Sequence, residues 1–266
     1  MKLISQYVLL LTILPQLSVL GQDLPKCFKK FTLSYLESNH FYNSKKDKGI
    51  DKDIISEISK RSHCQFVTVH MTRARMWKSI ESGELDFSTG AIITPEREKF
   101  GYFSLYYKSK NLTLLRKEIK KSLMSDFLED TKLRFGVVRS FKHGSNTLDN
   151  VFLKNLQKEG RVLEFVDQEK LYLNLYHNKV QGIFLESFKF RDLFEKYKDI
   201  KDKLNIVDWI PKEEPFLNGI IMSKKSIPQI EAVKWQKIIA EIVSDGTLEK
   251  IFRKYLPIED IKKISL

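Results

Sequence analysis

Residues 65–93 read QFVTVHMTRARMWKSIESGELDFSTGAII, and their pattern decides the fold class. The run Gln65–Met71 alternates apolar and polar residues and is rich in valine, as a strand requires. Thr72 then stands where a helix N-cap belongs. Gly83 stands where the helix must stop, because glycine enters the left-handed region without strain. A second apolar run, Asp86–Ile93, follows at once. Strand, helix and strand in that order predict a parallel pair joined by a helical crossover.

The alternation extends both ways. Upstream, FTLSYL (31–36) reads as a strand and GIDKDIISEISKRS (49–62) as a helix. Ile54, Ile55 and Ile58 share one face of that helix, and Asp51 and Asp53 suit its positive end. Downstream the pattern restarts. LRFGVV (133–138), RVLEFV (161–166) and VQGIFLE (180–186) read as strands. SNTLDNVFLKNLQKEG (145–160), DQEKLYLNLYHNK (167–179, led by Asp167) and SFKFRDLFEKYK (187–198) read as helices between and after them. FLNGIIMSKK (216–225) predicts a strand crossing back, and residues 227–256 two helices broken at Asp245-Gly246 with Thr247 as cap of the second. The fold class is α/β: two lobes, each a parallel-rich sheet with flanking helices, joined by two hinge strands near residues 106–117 and 216–225. The expected division is 1–21 as a signal peptide, 22–111 and 217–266 as lobe one, and 112–216 as lobe two.

The opening MKLISQYVLLLTILPQLSVLGQ carries one lysine, an apolar centre and small residues before Gln22, the layout of a secretory signal cut after Gly21. Its apolar part is too short for a membrane anchor and is interrupted by Pro15-Gln16. Lipidation at Cys27 does not fit either, with Lys26 where a small residue belongs. Export to the periplasm follows as the expectation. In such a compartment Cys27 and Cys64 favour pairing. Each precedes a predicted strand, so two parallel neighbours would bring both to one sheet edge; two free buried thiols are the alternative.

The formal charge is +12 and the hydrophobic share 42%. The lysines are interleaved with acids, as in KKDKGIDKD and EKYKDIKDK, which reads as solvated helix faces rather than a nucleic-acid surface. The five histidines show no paired ligand spacing, and no nucleophile elbow or phosphate-cradling glycine loop is present. No cofactor, metal or catalytic residue is therefore assigned.

GAIITPEREKFGYFS (90–104) runs a buried-looking strand up to Arg97 at a turn. Two readings stand: a solvated Arg97 paired with Glu96 or Glu98, or a guanidinium waiting for a ligand's carboxylate. The segments GIDKDIISEIS, WKSIESGELDFSTGAIITPEREKFGYFSLYY, LRFGVV, VQGIFLES and SDGTLEKIFRKYL occur in the order found in the family 3 extracellular solute-binding proteins, which the chain resembles over nearly all of its mature length. The resemblance implies a type II periplasmic-binding-protein fold closing over a small, amino-acid-like ligand for an ABC importer, and a monomer partnered by the inner-membrane permease. It implies that Arg97 pairs with the ligand's carboxylate, near Gly90 and Thr94. It also implies that Glu186 receives the ammonium, unless Glu186 is only a helix-start carboxylate. Phe41 or Tyr42 would lay a ring along the ligand, and Ser140 would supply a hydroxyl. Trp77 reads as core or helix-rim packing.

The chain departs from the family pattern at Ile92, where a hydroxyl residue is usual, and at Phe141 and Lys142, where a glycine-threonine pair is usual. Losing one hydrogen bond to a charged group weakens binding by about 1.5–3 kcal/mol. Arg139 or Lys142 could meet a second acidic group on the ligand. Two alternatives of other classes accompany the receptor reading. One is a secreted dehydratase of cyclohexadienyl acids on the same scaffold; the other is a sensor component without transport.

Overall fold

The computed structural model describes residues 23–38, 40–119, 123–140 and 148–266; the expected signal segment and the Phe141 and Lys142 positions lie outside them. The chain begins with β1 (Phe31–Ser34), α1 (Ile50–Ser62), β2 (Phe66–Thr68), α2 (Arg73–Ser82), β3 (Phe87–Ile92), α3 (Pro95–Glu98) and β4 (Gly101–Ser109). It then crosses at Lys110 into β5 (Asn111–Arg116), α4 (Met124–Glu129), β6 (Phe135–Val138), α5 (Leu148–Lys158), β7 (Val162–Phe165), α6 (Gln168–Tyr176), β8 (Gly182–Glu186), α7 (Phe190–Lys196) and β9 (Leu204–Val207). It returns through β10 (Phe216–Ser223) and ends in α8 (Gln229–Ser244), α9 (Thr247–Arg253) and α10 (Ile258–Ile264).

Two five-stranded sheets result, ordered β2-β1-β3-β10-β4 and β7-β6-β8-β5-β9. In the first, β1 runs parallel to β2 and β3, with Phe31 opposite Phe66 and Leu33 opposite Phe87. In the second, β6 runs parallel to β7 and β8. The crossing strands are the antiparallel members: β10 pairs with β3 and β4, and β5 with β8 and β9. The alternating pattern of the sequence therefore becomes two parallel-rich lobes. Within the described residues, no helix is long and apolar enough to cross a membrane.

Local signals explain the element ends. Thr72 caps α2 by accepting from Arg75 N–H, and Gly83 ends it at φ 86°. Asp167 caps α6 by accepting from Lys170 N–H. The tail differs from expectation. Gly246, at φ 80°, takes the cap position of α9 and Thr247 becomes its first helical residue. The reason is that the Asp245 carboxylate accepts from Thr247 N–H at 2.9 Å, which the left-handed turn at glycine permits. A third helix, α10, also follows where only two were expected.

The first lobe's core gathers Phe31, Phe66 and Phe87 edge-on or tilted around Trp235 of α8, with ring centres 5.3–5.7 Å from it. The second lobe buries Phe127, Phe135 and Phe152 on one face of its sheet and Leu171, Leu175 and Leu193 on the other. Phe188, from the 3₁₀ turn Ser187–Lys189 directly after β8, leaves its own lobe and joins the first lobe's core. Cys27 and Cys64 form a disulfide with Cα atoms 5.2 Å apart, tying the segments that enter β1 and β2.

Candidate functional site

The parallel strands of both lobes end at one cleft, where open α/β sheets bind their ligands. A cavity of about 450 Å³ lies there. The first lobe supplies Tyr35 and Leu36 after β1, and His70 to Arg73 between β2 and α2. The second supplies Val137 and Val138 at the end of β6, Leu171 of α6, and Phe184 to Glu186 at the end of β8. Lys189 and Asn111 close the side nearest the crossing strands. A mostly apolar wall with a few convergent charges suits a small organic solute.

Of the residues expected at a ligand site, Tyr42 and Glu186 lie in this wall. Tyr42 stacks on Tyr35 with centres 4.2 Å apart, and its hydroxyl donates to Asp47 at 3.1 Å. Burial and that bond push its phenol up to about 12. Phe41 turns the other way and packs between Tyr107 and Phe188, at 4.5 and 5.1 Å. The rings on the wall are thus the stacked Tyr42 and Tyr35.

Arg97, Gly90, Thr94 and Ser140 are not among the residues lining the cavity. Thr94 is the N-cap of α3, its hydroxyl accepting from Arg97 N–H at 3.3 Å. Arg97 is buried; its Nη1 donates to the Ile92 carbonyl at 3.0 Å and its guanidinium lies over the Trp77 ring. Burial, and then the like charge of Arg73, pull its pKa down to about 9, so it stays largely cationic at neutral pH. Gly90 sits in β3 at φ 64° against Leu36. Ser140 is exposed at φ 60° after β6, and Arg139 beside it pairs with Glu164 at 3.4 Å on the surface. Lys142 lies outside the described residues.

Among the described residues the wall carries two cations, Lys189 and Arg73; Arg73, the first residue of α2, was passed over by sequence reading. Burial pulls it down to about 10, with Glu186 and Tyr107 opposing that shift. Its signal was positional: it follows the N-cap Thr72 at the carboxyl end of a parallel strand, on the rim that faces the cleft. Lys189 was also missed. It stands three residues after Glu186 and forms an ion pair with it, while Ser109 donates to the same carboxylate at 2.7 Å.

The sequence model of the bacterial extracellular solute-binding proteins, family 3, matches residues 34–258. No curated protein matches the chain in sequence. Among solved structures, the arginine-, lysine-, histidine-binding protein ArtJ from Geobacillus stearothermophilus is 18% identical with a TM-score of 0.71, over 87% of this chain and 98% of that one. An ancestral arginine-binding protein bound to arginine is 20% identical with a TM-score of 0.69, over 87% and 100%. An ABC uptake transporter substrate-binding protein from Streptococcus pneumoniae with bound histidine is 14% identical with a TM-score of 0.68, over 85% and 92%.

Proposed function

Because the chain belongs to the family 3 bacterial extracellular solute-binding proteins, we propose that it is an exported, monomeric receptor that captures a small carboxylate-bearing solute of amino-acid size and delivers it to an ABC permease. The observation that carries this reading is the cleft: a cavity of about 450 Å³ shared by two lobes, with the Arg73 guanidinium in its wall at the start of α2. A planar guanidinium pairs with a carboxylate through two parallel bonds, and the positive end of the helix adds to its field. Arg97 is a further cation behind the wall, close enough to Arg73 for that charge to lower its pKa. Tyr42 and Tyr35 offer the aromatic surface and Val137, Val138 and Phe184 the apolar one. Closure of the lobes would bury the solute and form a continuous surface for the permease.

A thermal-shift screen of refolded, solute-stripped protein against amino acids, organic acids and amines tests the reading. A true ligand at a hundred times its Kd stabilises the folded state by about 2.7 kcal/mol. Arg73→Ala is expected to abolish that shift and Arg97→Ala to reduce it. An Arg73→Ala protein that kept the full shift would remove Arg73 from the site.

A further inference from the structure

Glu186 stands where an acid would receive a ligand's ammonium group, but the protein already engages it. One carboxylate oxygen accepts from the Ser109 hydroxyl at 2.7 Å, and the other faces the Lys189 ammonium. Glu186 and Lys189 are both buried. The arrangement is built in from two sides. Phe188 is held between Phe41 and Tyr107 in the first lobe's core, which fixes the 3₁₀ turn that returns Lys189 to Glu186. Asn218 donates to Ser109 Oγ at 2.8 Å, so the Ser109 proton is directed at Glu186.

An incoming ammonium would have to expel Lys189 from that carboxylate, or lie unpaired beside Lys189 and Arg73. Like charges in a partly desolvated site repel strongly. The other carboxylates on the wall, Glu37 and Asp167, are exposed, and Asp167 is occupied in capping α6. The rest of the lining is largely apolar, from Val137, Val138, Leu171 and Phe184, and its polar members, among them His70, Asn111 and Gln168, include no acid.

We infer that the cleft selects an organic acid with an apolar body and no ammonium next to its carboxylate, of the 2-oxo or 2-hydroxy acid class. The inference rests on the receptor reading above and narrows it.

Matched pairs test it: 4-methyl-2-oxopentanoate against leucine, and phenylpyruvate against phenylalanine, titrated calorimetrically into refolded, solute-stripped protein. The oxo acid of at least one pair is expected to bind tighter than its amino acid by roughly tenfold or more. Glu186→Gln, which removes the acid and keeps the Lys189 charge, is expected to strengthen oxo-acid binding several-fold. Lys189→Met is expected to shift preference toward the amino acid; if it does not fold, the wild-type pairs and Glu186→Gln decide. Should an amino acid bind as tightly as its oxo acid, or lose its binding on Glu186→Gln, this inference fails and the receptor reading stands. Should no member of either pair and no compound of the wider screen bind, both fail.

Discussion

The Arg97 guanidinium carbon lies 3.6 Å from the centre of the Trp77 ring. Trp77 Nε1 is buried without a hydrogen-bond partner, so the ring is held for its face rather than its N–H. A cation over an aromatic face contributes about 0.5–2 kcal/mol, more as water is excluded. Trp77→Leu is therefore expected to lower the unfolding free energy by about 1–3 kcal/mol. Trp77→Phe keeps a face and removes the orphan donor, and should stay within about 1 kcal/mol of wild type. Urea unfolding of both variants, alone and combined with Arg97→Ala, measures the coupling. A coupling near zero would mean that the contact carries no energy.

His40, in the loop after β1, pairs with Asp192 of α7 at 2.8 Å and so bridges the lobes. The bond to Asp192 raises the His40 pKa; burial opposes it, Glu195 reinforces it, and Arg191 works against it. A raised imidazole pKa gives stability that is fully present below the ordinary value of about 6.5 and lost as pH rises through the folded value. The stability difference between wild type and His40→Gln is thus expected to be about 1–3 kcal/mol at pH 6 and to shrink toward pH 9. Thermal unfolding across that range reads it; a difference independent of pH would show that His40 acts by packing alone.

The architecture was legible because its signals are local. Thr72, Gly83 and Asp167 mark helix ends by their own backbone and side-chain chemistry, and each does so in the structure. Thr247 misled because the Asp245 carboxylate and the left-handed Gly246 move the cap one residue upstream. The site was only partly legible. Tyr42 and Glu186 reach the cavity wall from loop and strand-end positions that the pattern located. Arg73 and Lys189 depend on the direction in which long side chains turn, and Arg97 on a ring from another helix. Such choices follow from tertiary packing, which hydrophobic periodicity does not encode. The Lys189 pairing did have a readable trace, the acid and base three residues apart.

The Cys27–Cys64 disulfide spans 37 positions of sequence. A loop of that length removes chain entropy from the unfolded state worth about 4 kcal/mol. Cys27→Ser/Cys64→Ser, or reduction of the wild type, is expected to lower stability by about 2–4 kcal/mol while leaving the cleft residues in place. The urea midpoint with and without reductant checks the first half, and ligand titration of the reduced protein the second. An unchanged midpoint would show that the reduced, unfolded chain retains structure around this loop.

Asp51, in the first turn of α1, is almost fully buried and accepts from the Tyr106 hydroxyl at 2.6 Å. Burial pushes its carboxyl up to about 6, against the neighbouring Thr89 hydroxyl, the bond from Tyr106 and the charge of Lys189. An acid whose folded pKa is raised favours the folded state while protonated. That contribution is complete below the unfolded value of about 4 and is lost as pH rises through about 6. At neutral pH the protein therefore carries a buried, ionised carboxylate at a cost of about 2–3 kcal/mol. Asp51→Asn keeps an acceptor for Tyr106, offers its amide to Thr89, and has nothing to ionise. It is expected to be close to wild type in stability at pH 4 and more stable by about 1–3 kcal/mol at pH 8. Unfolding of the two proteins in urea at both pH values measures the difference. A loss of equal size at both would mean that ionisation of Asp51 carries no stability, and a loss larger at pH 8 than at pH 4 would reverse the sign of the Asp51 contribution.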